Sequence, residues 1–298
     1  MFETLKQKLA TGRCITLETT PGHSASFQNV IDTVAALGLD ALVDGFSTTD
    51  NPLAKLKYNA LFAAMRLQNA FGKPVLATMS MRDRNRIALQ SDLLAANEAD
   101  VRAVLALTGD PAKISDQRDA KGVFESDSSL LLDIVAKFNE GTDLEGKPFT
   151  VSPRPIVPFA VINSFARNPK SLQKKMLKKI EHGAFGIITQ PVYDLDNAKM
   201  LLDLMHEANE TLGSDSRLIL GLFPITKART ARFLDANVPG IHVPPAWIEA
   251  LENAANDDDA YRIGFDLSKR LFDDLLALSP KIHLMTANRF DIAKAILE

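Results

Sequence analysis

The chain has 298 residues, with 34 Lys plus Arg against 37 Asp plus Glu and a formal charge of −3. Hydrophobic residues at 46% and charged residues at 24% exclude a disordered chain, and the near-neutral balance argues against a nucleic-acid or anionic-lipid partner. The lone cysteine, Cys14, rules out an intrachain disulfide framework and multi-cysteine metal sites, and no run of about 18 apolar residues could span a bilayer. A cytoplasmic protein is expected.

The first segment, 1–12, carries Phe2, Leu5 and Leu9 at helical spacing and reads as an amphipathic helix, not a signal peptide. Short β-rich runs then alternate with helical patterns. Strands are predicted at 14–18, 41–46, 74–80, 101–108, 156–163, 185–190, 218–223 and 282–286. Helices are predicted at 26–37, 54–70, 87–97, 129–138, 169–182 and 198–212, with two more near 247–254 and 258–276. The stretch 168–183 is the clearest: Asn168 suits the cap, Pro169 the first turn and Gly183 the residue past the end. Segment 239–244 reads as a turn.

Eight strand–helix units predict an α/β fold, a (β/α)8 TIM barrel with extra helices at the N-terminus and in the C-terminal region. A doubly wound open sheet stays open as an alternative, because periodicity does not report closure. No linker divides the chain, so residues 1–298 are expected to form one domain. Of the two long connections, 139–155 precedes a strand, whereas 109–127 follows the fourth strand, on the face where barrel enzymes carry their sites.

The residues at the strand ends are candidates for chemistry: Glu18, Asp44, Thr78, Thr108, Gly109, Asp110, Asn163, Gln190, Asn288 and Arg289. By period two, Cys14, Thr16 and Glu18 share a face, which aims Glu18 into the mouth of a barrel. Competing motifs fail. The stretch 141–147 has P-loop spacing, but Pro148 stands where Ser or Thr should hold magnesium, and no strand precedes it. The five histidines are dispersed, so no metal site is expected. The lysines 174, 175, 178 and 179 read as a solvated helix face from which one reaches a ligand, and Cys14 reads as packing.

An ordered set of motifs adds to this. It comprises Leu-Glu-Thr-Thr-Pro around Glu18, Arg-Asp-Arg-Asn-Arg from Arg82, Leu-Thr-Gly-Asp-Pro ending at Pro111 and Thr-Gln-Pro-Val-Tyr ending at Tyr193. Val-Pro-Gly-Ile-His-Val-Pro ending at Pro244 and Thr-Ala-Asn-Arg ending at Arg289 complete it. Together, and almost end to end, the chain resembles methylenetetrahydrofolate reductases. The resemblance implies reduction of 5,10-methylenetetrahydrofolate to 5-methyltetrahydrofolate through a bound flavin. FAD is the expected cofactor, with FMN the alternative and NADH, NADPH or a protein as donor. It makes Glu18 the general acid and Asp110 the acid between flavin and pterin. Gln190, Asn288, Arg289 and, to within one position, Phe233 become substrate contacts. Thr78, Thr108, Gly109, Asp110, Glu125, Asn163 and Lys179 fall on flavin positions.

Three of those positions depart from the pattern: many relatives have His for Thr78, and some have Arg for Thr108 and Ala for Glu125. The departures remove donors for a pyrophosphate, for which Arg82, Arg84 or Arg86 are the candidate replacements. They also keep another class in view, a cofactor-free folate-binding or methyl-transfer barrel working as a subunit with a corrinoid or electron-transfer partner. A barrel lyase on a phosphorylated substrate is a third class, for which no phosphate loop is found. A homo-oligomer is expected.

Overall fold

Eight strands pair in parallel and in chain order: β1 (Cys14–Thr19), β2 (Gly45–Thr48), β3 (Val75–Ser80), β4 (Ala103–Leu107), β5 (Val157–Ile162), β6 (Gly186–Pro191), β7 (Arg217–Leu222) and β8 (Lys281–Leu284). The last strand returns to the first, with Thr16 opposite His283, so the sheet closes into a barrel and the open-sheet alternative falls away. The structure is a computed structural model describing residues 1–298.

Helices α1 (Phe2–Thr11), α2 (Gln28–Ala36), α3 (Leu39–Leu42), α4 (Ala60–Phe71), α5 (Arg86–Glu98) and α6 (Ser128–Asn139) belong to the first half. Helices α7 (Pro169–Glu181), α8 (Leu195–Leu212), α9 (Ala228–Asn237), α10 (Pro245–Glu252), α11 (Asp257–Leu278) and α12 (Phe290–Leu297) complete the chain. None is long and apolar enough to cross a membrane.

The side-chain alternation of β1 sorts its residues into two cores. Ile15 and Leu17 join the large layer between sheet and helices. Cys14 turns inward, packing with Leu76, Leu105, Phe159, Ile188 and Ile219. Helix α1 closes the bottom of this inner core by burying Phe2, Leu5 and Leu9 against it, the residues that its spacing singled out. Burial pushes the Cys14 thiol up to about 12, so it is packing and not a nucleophile.

Three local expectations are corrected. The predicted strand 41–46 began too early: α3 occupies 39–42 and β2 starts at Gly45. Asp44 therefore lies at the bottom of the barrel, not at the mouth, where it accepts from the Ile15 amide at 2.7 Å and pairs with Lys8. The helix predicted from 54 starts at Ala60, because Asn59 caps it by accepting from the Leu61 and Phe62 amides. Helices α9 and α12 were not foreseen. Segment 239–244 is a loop, as expected.

Candidate active site

The strand ends enclose a cavity of about 420 Å³. Glu18, Thr78, Gly109, Asp110 and Gln190 all line it, so residues from four different strand ends converge at one mouth. Glu18 is largely buried there, and burial alone pushes its carboxyl up to about 7. That is the signature of an acid that can hold a proton near neutral pH. Asp110 offers a second carboxylate, with one oxygen, Oδ2, accepting from the Leu53 amide at 2.7 Å.

The same wall holds groups that the strand-end reading missed. His283 is fully buried, with Nδ1 2.7 Å from Thr16 Oγ1 and Nε2 3.4 Å from Ser47 Oγ. Burial pulls it down to about 4, so it is neutral at pH 7. Thr49 and Ser80 also line the cavity, and their hydroxyls have no partner in the protein. Asp50 is buried beside them, bonded to the Ser80 amide at 2.9 Å and to Arg84 at 2.5 Å. Ending the second strand at Thr48 instead of Phe46 would have exposed Thr49 and Asp50 as mouth residues.

A second cleft of about 620 Å³ opens beside the first and shares Leu107, Gly109, Asp110, Val161 and Gln190 with it. Thr108, Asn163, Lys175, Lys178 and Lys179 line its outer part. Lys179 Nζ donates to Ser128 Oγ at 2.6 Å, and burial pulls its ammonium below the ordinary value. Lys178 donates to Asp127 at 2.6 Å. Burial opposes ionisation of Asp127, yet Lys178 and the Ser129 amide hold its carboxyl well below the usual range. Gly109 sits at φ +92°, where a Cβ would meet Arg82 and Ser80 at 3.0 and 3.1 Å. Glycine is therefore required where β4 leaves the barrel.

Other expected site residues do not reach either cavity. Phe233 is 50% exposed on α9, and its neighbour Leu234 lines the cavity in its place. Asn288 is occupied by the chain itself: Oδ1 accepts from the Thr20 amide at 2.8 Å and Nδ2 donates to Thr20 O at 2.7 Å. Arg289 pairs with Asp291 at 2.7 Å and faces solvent. Glu125 accepts from the Arg86 amide and side chain, which anchors the 109–127 loop to the start of α5.

The arginines proposed as replacement donors are engaged too. Arg82 is bonded to Asp83, Arg84 to Asp50 and Asp92, and Arg86 to Glu125. Of the α7 lysines that line the second cleft, Lys178 is held by Asp127 and Lys179 by Ser128 while Lys175 has no bonded partner, so the helix face read as solvated is the charged wall of that cleft. An ammonium-lined cleft adjoining a cavity with unpartnered hydroxyls suits a cofactor with an anionic arm and a heteroatom-rich ring. A flavin nucleotide fits that donor set.

Comparison with known proteins bears on the fold and the family. A family model described as methylenetetrahydrofolate reductase matches residues 4–298. The chain belongs to the methylenetetrahydrofolate reductase family. Methylenetetrahydrofolate reductase 1 of Schizosaccharomyces pombe is 26% identical over 214 residues, covering 70% of this chain and 33% of that protein. The chain thus spans about a third of the length of the curated relative it matches. Among solved structures, an uncharacterized protein from Clostridium thermocellum that binds two copies of 5-methyl-5,6,7,8-tetrahydrofolic acid superposes with a TM-score of 0.64. It is 15% identical, and the match covers 98% of this chain and 97% of that one. DmoA from Hyphomicrobium sulfonivorans superposes at 0.56 with 8% identity, over 95% and 85% of the two chains. At such identities these two share the barrel with this family member, and nothing finer.

Proposed function

We propose that this chain reduces 5,10-methylenetetrahydrofolate to 5-methyltetrahydrofolate. The observation that carries the reading is Glu18, a carboxyl with no compensating partner, held near pH 7 by burial in the cavity that also receives Asp110. Opening the bridged one-carbon ring needs a proton on the departing nitrogen. Glu18 supplies it, and the bridge carbon becomes a cationic iminium. The Asp110 carboxylate stabilises that charge in a partly water-excluded site. Gln190 holds the pterin through its amide, and the walls of the cavity orient the ring.

A flavin, FAD before FMN, would be held by Lys175, Lys178, Lys179, Thr108 and Asn163 in the larger cleft and by Gly109 and Thr78 toward the smaller. When bound it supplies the hydride that converts the iminium to the methyl product, and NADH, NADPH or a reduced protein would recharge it. The test separates two half-reactions by flavin absorbance. Glu18→Gln should leave flavin reduction by the donor near its original rate and slow reoxidation by methylenetetrahydrofolate at least about a hundredfold. Equal slowing of both halves removes Glu18 from the acid role.

One observation favours a second reading, a cofactor-free folate-binding or methyl-transfer barrel serving a corrinoid or electron-transfer partner. Arg82, Arg84 and Arg86 are all engaged by carboxylates, so none of them is an unpaired guanidinium in place of the one lost at Thr108. A purified protein without a flavin spectrum, and with no saturable binding of FAD or FMN at micromolar concentration, selects this reading.

A further inference from the structure

The turn after β2 adopts a costly backbone without any glycine. Asn51, Leu53 and Ala54 have φ of 44°, 55° and 56°, in the left-handed region that side chains with a Cβ avoid. Leu53 is 48% exposed, so its apolar side chain gains little from the arrangement. Such strain persists only where surrounding contacts over-determine it. Arg82 Nη2 donates to Asn51 O at 3.0 Å, and Ser115 Oγ donates to Ala54 O at 2.6 Å. Between these two anchors, the Leu53 N–H donates to Asp110 Oδ2 at 2.7 Å. The turn is thus clamped on both sides of the amide that reaches the Asp110 carboxylate.

We propose that the Leu53 backbone amide is a positioning group for Asp110. It fixes Oδ2 and leaves Oδ1 to face the ligand, so the carboxylate meets folate without having to be ordered first. Asp110 follows Gly109 at the head of an exposed loop, 109–127, that has no regular element beyond a short turn at Ala112–Ile114. The loop is tied down further along, at Ser115 and Glu125, and Leu53 supplies the fixed point at its head, at the carboxylate itself. The residue acts through Asp110 and touches no substrate itself. This inference rests on the folate reading above for its consequence in binding, and on geometry alone for the contact.

The test replaces the Leu53 amide by an ester, incorporating leucic acid at that position, which deletes the donor and keeps the side chain. An ester at Leu56, whose amide makes no hydrogen bond, is the control. The ester at 53 should weaken 5-methyltetrahydrofolate at least about tenfold, the range for a bond to a charged group. In an Asp110→Ala background the same ester should change affinity by less than about twofold. Leu53→Gly, which keeps the N–H, should stay within about twofold of the parent. An equal ester penalty in both backgrounds, or a loss in Leu53→Gly matching the ester, overturns the proposal. Hydrogen exchange gives a ligand-free readout. The Leu53 amide should be protected in the parent and released by Asp110→Ala; unchanged exchange also overturns the proposal. Protection that Asp110→Ala releases, in a protein that binds no folate, would sink the folate reading while leaving the positioning contact intact.

Discussion

Glu18 and His283 face one cavity and are displaced in opposite senses by the same burial. Glu18 rises from 4.5 to about 7, and His283 falls from 6.5 to about 4. For Glu18 the unfolded chain releases its proton first, so its contribution to stability is full below pH 4.5 and is lost as pH rises to 7. For His283 the unfolded chain takes up a proton first, so stability is full above 6.5 and is lost as pH falls to 4. Between 4.5 and 6.5 the two slopes oppose each other. Glu18→Gln should therefore be more stable than the parent at pH 8, by up to about 3 kcal/mol and with a higher melting temperature, and match it at pH 4. Its own stability should fall with acid between 6.5 and 4.5, where these two groups leave the parent flat. Thermal denaturation across pH 4 to 8 checks this, and an unchanged melting temperature at pH 8 would remove charge burial as the cause of the shift. Glu18 was legible in the sequence because period two fixes a side chain's face. His283 was passed over because a dispersed histidine carries no spacing signal, and only barrel closure sets it opposite Thr16.

At the scale of elements, helix grammar was readable where caps and an apolar stripe coincide. Asn168 and Pro169 at the start, Gly183 past the end and the buried Leu172, Met176 and Ile180 between mark α7 from both ends and along its length. Helix α9 lacks these marks: no side chain caps it, and Ala231 is its one buried residue. Nor can a sequence show whether a polar strand-end residue faces a ligand or the chain. Asn288 is the case in point, since it ties the loop after β8 to the loop after β1 at Thr20 with two bonds. It also sits at φ +63°, which asparagine tolerates better than alanine. Asn288→Ala should cost about 1 to 3 kcal/mol in urea denaturation. Asn288→Gly should recover part of that through its backbone. Neither should change folate affinity as much as Gln190→Ala does, and a larger effect at Asn288 would restore it to the substrate site.

The whole molecule is a barrel with two adjoining chambers, and the wall between them is the set Leu107, Gly109, Asp110, Val161 and Gln190. The fold was legible because eight alternations of strand and helix leave few closed solutions. The chambers were not, because they depend on which way α7 turns its lysines and on how the 109–127 loop lies. Their shared wall has a consequence for stoichiometry. An occupant of the 620 Å³ cleft that extends along the wall must lie against whatever fills the 420 Å³ cavity. If a flavin takes the larger cleft, a flavin-loaded chain has one place left for folate. Calorimetric titration with 5-methyltetrahydrofolate should then give one site per flavin-loaded chain. Lys179→Ala should weaken FAD by about tenfold through loss of one charge contact, with the salt dependence of FAD binding reduced, while leaving that folate count at one. Two folates on a chain that also holds flavin would place the flavin outside the lysine-lined cleft. Two folates on a chain that binds no flavin would assign both chambers to folate and select the cofactor-free barrel.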